Sequence, residues 1–529
     1  MNGAQSLSRT LVNGGVHTCF VNPGTTEIHL VKALADEAGM RTILCLFEGV
    51  CTGAADGYAR MTDRPAATVL HLGPGLANGI ANLHNARRAN SPVINIVGDH
   101  ATYHRQYDAP LTSDIMSLAK PVSGWLRTST KAEKLAEDGA AAIQASMEPP
   151  GQVATLIVPA DCAWDQAKGP VTIKTPSKRK TVSEDKVPTV AAALRSGKPA
   201  AFLLNGQALR TECLEIVSSI VHRTGVRVMC ETFSARLARG AGRFPVERFP
   251  YFPEKVEEGL SGLAHLILVG ANPPVAFFAY QGKPSWLTPE SCEIHTLANP
   301  DENALEALEA LAEESGASKM KGKVPGLSRP GLPTGALTTE AVGATLGALL
   351  PENAIVSDES VTSGAAAFAM TTGAPPHDWL FVTGGSIGQG LPVATGAAVG
   401  CPDRKVICLH GDGGAMYTLQ SLWTQAREGL DITTIIFSNR KYQILHHELT
   451  RADLKDPGAE VLRMLDLSDP DINWIKLARG MGVKASRSET ADEFNRQFAA
   501  ALAEPGPHLI EAVIPSSRVN GVEKHFPPL

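Results

Sequence analysis

A Gly-Asp-Gly turn that closes one apolar strand, followed by a lone Asn that closes the next, is the tightest constraint in this chain. The stretch "GDGGAMYTLQSLWTQAREGLDITTIIFSN" runs from Gly411 to Asn439. The preceding "KVICL" is short and apolar, as a buried strand is. "YTLQSLWTQAREGL" has helical spacing that puts Leu419, Leu422, Trp423 and Ala426 on one face. "ITTIIF" is β-branched and apolar, a second buried strand. The pattern predicts a βαβ unit, whose strands run parallel and end on one edge. Asp412 and Asn439 are therefore expected side by side. Both offer the hard oxygens that Mg2+ takes together with phosphates. The glycines at 411, 413 and 414 leave backbone N–H groups open to a phosphate at a helix N-terminus. The same stretch also reads as an ordinary βα turn with an Asp N-cap.

A chain of 529 residues has room for roughly three domains. Its apolar content of 43% and charged content of 19% are those of a soluble globular protein. The net charge of −6 gives no electrostatic footprint for nucleic acid or a membrane surface. Nine cysteines, none in a CxxC pair, fit buried thiols in a reducing cytoplasm better than a disulfide framework or a zinc site. Cys51, near a motif described next, reads as packing. No signal peptide is expected, because the N-terminus has no basic stretch followed by an apolar one, and no apolar run is long enough to span a bilayer.

Two Lys-, Pro- and Ser-rich stretches, 168–189 and 315–335, break the apolar periodicity and read as linkers. They divide the chain into 1–167, 190–314 and 336–529. Short apolar runs alternate with helical segments in each part. "HTCFVN", "TILCLF", "AATVLHL", "SPVINIVGD" and "VATLIVPA" read as strands of the first. "AAFLLNG", "RVMC" and "AHLILVGA" read as strands of the second, and "AIVSD", "LFVTG", "VICLHG", "TTIIFSN" and "PHLIEAVI" as strands of the third. The expected class is α/β: three domains, each with a mostly parallel sheet flanked by helices.

In "CLFEGVCTGAADGYARM" (45–61), Glu48 stands where an apolar strand gives way to a helix of small residues. A carboxyl there is partly desolvated, which suits it to sharing a proton. It also reads as a helix-start Glu favoured by the macrodipole.

"FEGVCTGAADGYAR", "LHLGPGLANGIANLHNARRANSPVINIVGD", "GGSIGQGLPVATGAAVG" (384–400) and "GDGG…SNRKYQIL" occur in that order. Together they resemble thiamine-diphosphate enzymes of the pyruvate decarboxylase and acetolactate synthase group over nearly the whole chain. The resemblance implies a pyrimidine-binding domain (1–167), a central Rossmann-like domain (190–314) and a diphosphate-binding domain (336–529). It implies thiamine diphosphate and Mg2+ as cofactors, with Glu48 hydrogen-bonded to the aminopyrimidine N1′. Asp412, Asn439 and the Lys441 carbonyl are the implied Mg2+ ligands. The backbone of Gly413, Gly414 and Ala415, with Thr362 and Tyr442, would contact the cofactor. Gly414 stands where the family has Ser or Ala. Ile387 matches the apolar prop for the bent cofactor, and the Gly385 carbonyl matches the acceptor for its 4′-amino group. Glu48 and the metal site would come from different subunits, which implies a homodimer or homotetramer.

Smaller features lean toward benzoylformate decarboxylase. Thr25, in "FVNPGTTE", matches a Ser that touches the substrate carboxylate. His71, in "VLHLGPG", matches a catalytic histidine, and "SDESVTSG" resembles its "NEST" segment. A turn histidine bonded to backbone is the other reading of His71. A second histidine of that enzyme is missing, since Ala279 falls near its place. His100, His104 and Arg105, in "GDHATYHRQYDAPL", fall where other decarboxylases carry histidines, although solvated loop residues fit the pattern too. Ile444 and Leu445 suggest an apolar substrate tail, and His446 and His447 follow on the same helix. The activity implied is decarboxylation of a 2-oxo acid with an apolar or aromatic side chain, through a C2 ylid and an enamine. The alternatives are an acetolactate-synthase-type carboligase joining two 2-oxo acids, or a cofactor-binding protein without activity. The synthases bind FAD in the central domain; with no G-x-G-x-x-G there, FAD is not favoured.

Overall fold

The structure is a computed structural model that describes residues 1–175, 177–454 and 456–515. Three sheets organise it. The first has the spatial order Arg41–Leu44, Thr18–Val21, Ala66–Leu70, Val93–Asp99, Val153–Pro159, Trp125–Thr128, and every neighbouring pair is parallel. The second runs Glu247–Arg248, Arg227–Cys230, Ala200–Leu204, His265–Val269, Glu293–Ala298, also parallel throughout. The third runs Lys484–Ser488, His508–Val513, Ile432–Ser438, Val406–Gly411, Ile355–Glu359, His377–Phe381, Leu237–Arg239. Only its last pair is antiparallel, and that edge strand comes from the central part of the sequence. The class expected from the sequence, α/β with mostly parallel sheets flanked by helices, is the one observed.

The parallel strands are buried on both faces, which is why they read as unbroken apolar runs. Val93–Asp99 and Val153–Pro159 are buried at every position. The βα segment after Gly411 differs in one detail. The helix is shorter than its periodicity predicts: a single turn, Asp412–Ala415, precedes the main helix Ser421–Glu428. Leu419 lies before the main helix, because Thr418 bends the chain by donating its hydroxyl to Gly388 O at 2.8 Å. The buried face then uses Leu422 and Gln425, with Trp423 and Ala426 only half-buried.

Two helices join the first and third sheets. Glu48–Thr62 is buried along almost its whole length, as is Gly390–Gly400. Small residues let their backbones meet. A Cβ on Gly396 would lie 1.8 Å from Ala54 O, so only Gly fits there. Asp56 locks the contact, pairing with Arg60 at 2.6 Å and accepting from Gln389 Nε2 at 2.6 Å. The packing fixes the start of one helix, Glu48, relative to the loop that precedes the other.

Candidate active site

In open parallel sheets, ligands bind beyond the carboxyl ends of the strands, where the strand order reverses. The first sheet reverses beside Thr18–Val21, and the turns after its strands carry Glu27, Glu48 and His71. The "NPGTTE" turn folds back on itself, and Gly24 N donates to Glu27 Oε2 at 3.0 Å. Glu27 is fully buried, and its Oε2 lies 2.7 Å from His71 Nδ1. The hydroxyl that reaches this pair is Thr26, which bonds Glu27 and stands 3.5 Å from His71 Nδ1. Thr25 is exposed. Glu48 is buried at 8% exposure, and Asn78 Nδ2 donates to its Oε2 at 3.0 Å. Glu48 and His71 are neighbours across Gly75, where a Cβ would stand 3.0 Å from Glu48 Oε1 and 3.4 Å from His71 Cβ.

The third sheet reverses between Ile355–Glu359 and Val406–Gly411. Gly411 is in register with Phe437, which brings Asp412 and Asn439 together at adjacent strand ends. Asp412 is buried and accepts from Gly413 N at 2.9 Å and Arg440 N at 2.6 Å. Asn439 Oδ1 accepts from Lys441 N at 3.1 Å. Burial pushes the Asp412 carboxyl up to about 6, with the backbone donors only partly opposing it. A buried carboxylate beside an amide oxygen at a helix start is a donor set that suits a hard cation. Burial also holds the Lys441 ammonium below its usual value.

Gly385 has φ +72 and lies against Phe277, whose Cζ would be 2.4 Å from a Cβ there. Ile387 is half-buried in the same loop. Glu359, which sequence reading passed over, pins that loop. It is buried and accepts from Gly388 N and Gln389 N at 2.6 Å each and from Gly390 N at 2.7 Å. Glu359 also explains Gly414: a Cβ there would lie 2.9 Å from Glu359 Oε1 and 3.1 Å from His410 Cε1. Tyr442 packs against Gly413. Thr362 is half-buried in the turn after Glu359.

Backbone strain marks the same places. Among the described residues, eight non-glycine residues have positive φ, and five of them are Asp or Asn, which tolerate it. The other three are Leu72, Val361 and Arg440, at φ +54, +49 and +59. Each adjoins a residue singled out from the sequence: His71, Thr362 and Asn439. Such strain costs of order 1–3 kcal/mol and clusters at functional sites.

The other sequence candidates lie in the loop after Val93–Asp99 and on the helix after Tyr442. Arg105 pairs with Asp99 at 3.0 Å, and His104 is an exposed loop residue whose ring lies 5.3 Å from that of His100. Leu445 is exposed, and His446 and His447 are half-buried on the helix Gln443–Arg451. Burial, helped by Lys441 and His447, holds His446 below its usual value. Ala279 is exposed. The aromatic group near Gly385 is instead Phe277, 4.8 Å from Phe278 and 5.5 Å from Tyr251 between ring centroids. All nine cysteines are free thiols, and burial pushes Cys51 well up, as expected of a packing residue. The C-terminal stretch 516–529 lies outside the described residues.

Residues 1–118 match the family profile "Thiamine pyrophosphate enzyme, N-terminal TPP binding domain", and residues 361–512 match the corresponding C-terminal TPP binding domain. A Mycobacterium tuberculosis (strain ATCC 25618 / H37Rv) protein named "Putative acetolactate synthase large subunit IlvX" is 54% identical, over 98% of this chain and 99% of its own. The chain belongs to the thiamine pyrophosphate enzyme family. Benzoylformate decarboxylase of Pseudomonas aeruginosa is 28% identical over 94% of this chain and 96% of its own length. The fold also matches that of a thiamine diphosphate-dependent 4-hydroxybenzoylformate decarboxylase from Rhodococcus jostii RHA1. That match has a TM-score of 0.84 at 24% identity and covers 97% of this chain and 99% of the other. The protein is thus a thiamine-pyrophosphate-dependent enzyme of the acetolactate synthase and benzoylformate decarboxylase group, whose members act on 2-oxo acids. No helix of its described residues is long and apolar enough to cross a membrane.

A cavity of about 1350 Å³ lies beyond the carboxyl ends of the central sheet. Asn205, Glu231, Asn272, Arg88 and Arg210 are among its lining residues. Burial raises the Glu231 carboxyl against hydrogen bonds from Asn272 and Asn205.

Proposed function

We propose that this enzyme decarboxylates a 2-oxo acid with an apolar or aromatic side chain and releases the aldehyde. The observation that carries the reading is the buried Glu27 carboxylate at 2.7 Å from His71 Nδ1. Aldehyde release needs a proton at the former carbonyl carbon. A carboxylate that takes the Nδ1 hydrogen orients the ring and leaves Nε2 to exchange a proton with substrate.

Asp412, Asn439 and the Lys441 carbonyl would hold Mg2+. The backbone at Gly413, Gly414 and Ala415, with Thr362 and Tyr442, would hold the diphosphate. The buried Asp412 carboxylate fits a cation, and the open helix start beside it fits an anion. Bound thiamine diphosphate supplies a carbon nucleophile and an electron sink. With it bound, Glu48 would serve the aminopyrimidine N1′, the Gly385 carbonyl would accept from the 4′-amino group, and Ile387 would be the apolar prop for the bent cofactor. Glu359 keeps that loop in place. Thr25 would meet the substrate carboxylate, while Phe277, Phe278 and Leu445 favour an apolar tail.

Glu48 would come from one subunit and the metal site from another, the two meeting at one cofactor in a homodimer or homotetramer. Leu46, Tyr103, Tyr107, Val361 and Tyr417 are exposed in the single chain around these strand ends, which supports a covering second copy. Domain limits at 1–167, 190–314 and 336–529 and a cytoplasmic location, consistent with the free thiols, belong to the same proposal.

The name of the Mycobacterium tuberculosis relative favours a second reading, in which two 2-oxo acids are joined. The cavity of the central domain bears on it too. Glu231 ends the second strand of a Rossmann-like unit, where an acid bonds a ribose hydroxyl, and Arg88 and Arg210 suit phosphates. This fits a nucleotide such as FAD despite the missing glycine fingerprint. Mass spectrometry of the products from a panel of aliphatic and aromatic 2-oxo acids tests both readings. An aldehyde as main product supports decarboxylation, and a 2-hydroxyketone as main product overturns it.

A further inference from the structure

The edge strand of the central sheet, Glu293–Ala298, lies parallel to His265–Val269, with His265 in register with Glu293 and Ile267 with His295. Alternation along a strand puts residues 293 and 295 on one face. His265 faces them there from the neighbouring strand. The place is the amino-terminal edge of the sheet, opposite the carboxyl edge where the large cavity opens. These three side chains do not line the large cavity.

Three ligand atoms converge. His265 Nδ1 is 3.0 Å from His295 Nε2, and Glu293 Oε2 is 3.6 Å from the first and 3.7 Å from the second. A point equidistant from atoms with those separations lies about 2.0 Å from each, the bond length of Zn–N and Zn–O. Two buried histidines sharing a hydrogen would account for the 3.0 Å contact alone. They would not account for a carboxylate on an exposed residue that meets both rings and completes a circle of coordination radius.

We propose that His265, His295 and Glu293 bind a divalent cation of the zinc class, which clips the edge strand Glu293–Ala298 to its neighbour. Two imidazoles and one carboxylate make a borderline donor set, suited to Zn(II), Co(II) or Ni(II) and poorly suited to Mg2+ or Ca2+. Both rings are buried, while the Glu293 side chain is 68% exposed, so the open position faces water. Burial lowers the proton affinity of His295, and imidazole binds metals in its neutral form. A cation there stabilises the folded central domain by mass action, because the unfolded chain does not hold the three ligands together.

The test uses the full chain loaded with thiamine diphosphate and excess Mg2+, after chelator dialysis, so that the hard-oxygen site is already filled. Zn(II) binding is followed by calorimetry and Co(II) binding by its visible d–d absorption. The expected result is one further site per chain. Its affinity falls at least ten-fold in Glu293→Gln, and it is absent in His265→Ala/His295→Ala. Glu293→Gln replaces an exposed side chain, so it keeps its fold and catalytic rate and decides the case if the double variant does not fold. No stoichiometric site in the parent enzyme, or equal affinity in parent and Glu293→Gln, overturns the proposal.

Discussion

Glu27, wholly buried, presents Oε2 at 2.7 Å from Nδ1 of His71, a residue from the neighbouring strand's turn. Their strands, Thr18–Val21 and Ala66–Leu70, are hydrogen-bonded neighbours, so the sheet itself sets the pair. If His71 delivers the proton, His71→Ala slows aldehyde release by roughly 10²–10⁴-fold, the usual worth of a positioned acid–base group. Glu27→Gln loses the orienting charge and slows it by about 10–100-fold, by analogy with carboxylates that orient metal-bound histidines. Steady-state rates with cofactor binding measured in parallel check both. A Glu27→Gln enzyme with parental rates contradicts the pairing.

Glu359 holds the 388–390 backbone with three short hydrogen bonds. In Glu359→Gln an amide N–H2 faces those donors. The expected loss is roughly 2–3 kcal/mol of stability, the scale of hydrogen bonds to a charged group. Weaker thiamine diphosphate binding should accompany it, because Gly385 and Ile387 ride on the same loop. Denaturant unfolding and cofactor titration measure the two effects.

Asp412 titrates near about 6 because burial disfavours its charge. Mg2+ must displace that proton. Apparent Mg2+ affinity therefore falls as pH drops below about 6, by up to ten-fold per unit, and is insensitive to this group above it. Without the cation the sign for stability is the reverse. The folded chain holds the proton more tightly than the unfolded one, so raising pH from 3.8 to about 6 costs stability. Calorimetric Mg2+ titrations across pH 5 to 8 test this.

His377 is fully buried, its Nδ1 2.8 Å from Pro375 O, and burial, helped by Arg239, lowers it to about 3. The unfolded chain takes up a proton below 6.5 that the folded chain refuses. Stability present above pH 6.5 is thus lost on acidification, at about 1 kcal/mol per pH unit. His377→Asn removes that slope, so the parent should lose roughly 1–2 kcal/mol more than the variant between pH 7 and 5. Urea unfolding at the two pH values reads the difference.

The fold was legible where burial is two-sided. Every apolar run chosen as a strand overlaps one. The strands missed include Trp125–Thr128, Glu293–Ala298 and Lys484–Ser488, which end their sheets and leave residues exposed, so no apolar run announces them. The side-by-side placement of Asp412 and Asn439 was legible from the βαβ pattern, and so was the position of Glu48 at the start of a buried helix. Glu27 and Glu359 were not, because their meaning lies in partners distant in sequence: His71 for the one, the 388–390 backbone for the other. The strained Leu72, Val361 and Arg440 were invisible because glycine, Asn and Asp advertise a left-handed backbone and these residue types do not. Phe277 reads as a loop residue until folding sets it against Gly385. "HLILV" was legible as a strand, but the alignment of His265 with Glu293 required the register.

The central claim is tested most directly by CO2 release from 2-oxo acids by the purified enzyme beside its Glu48→Gln variant, each with and without thiamine diphosphate and Mg2+. The account predicts release that requires both cofactors and falls by at least about 10²-fold in the variant while the variant still binds the cofactor. Parental rates in Glu48→Gln, or no release from any acid by the fully loaded parent, would contradict it.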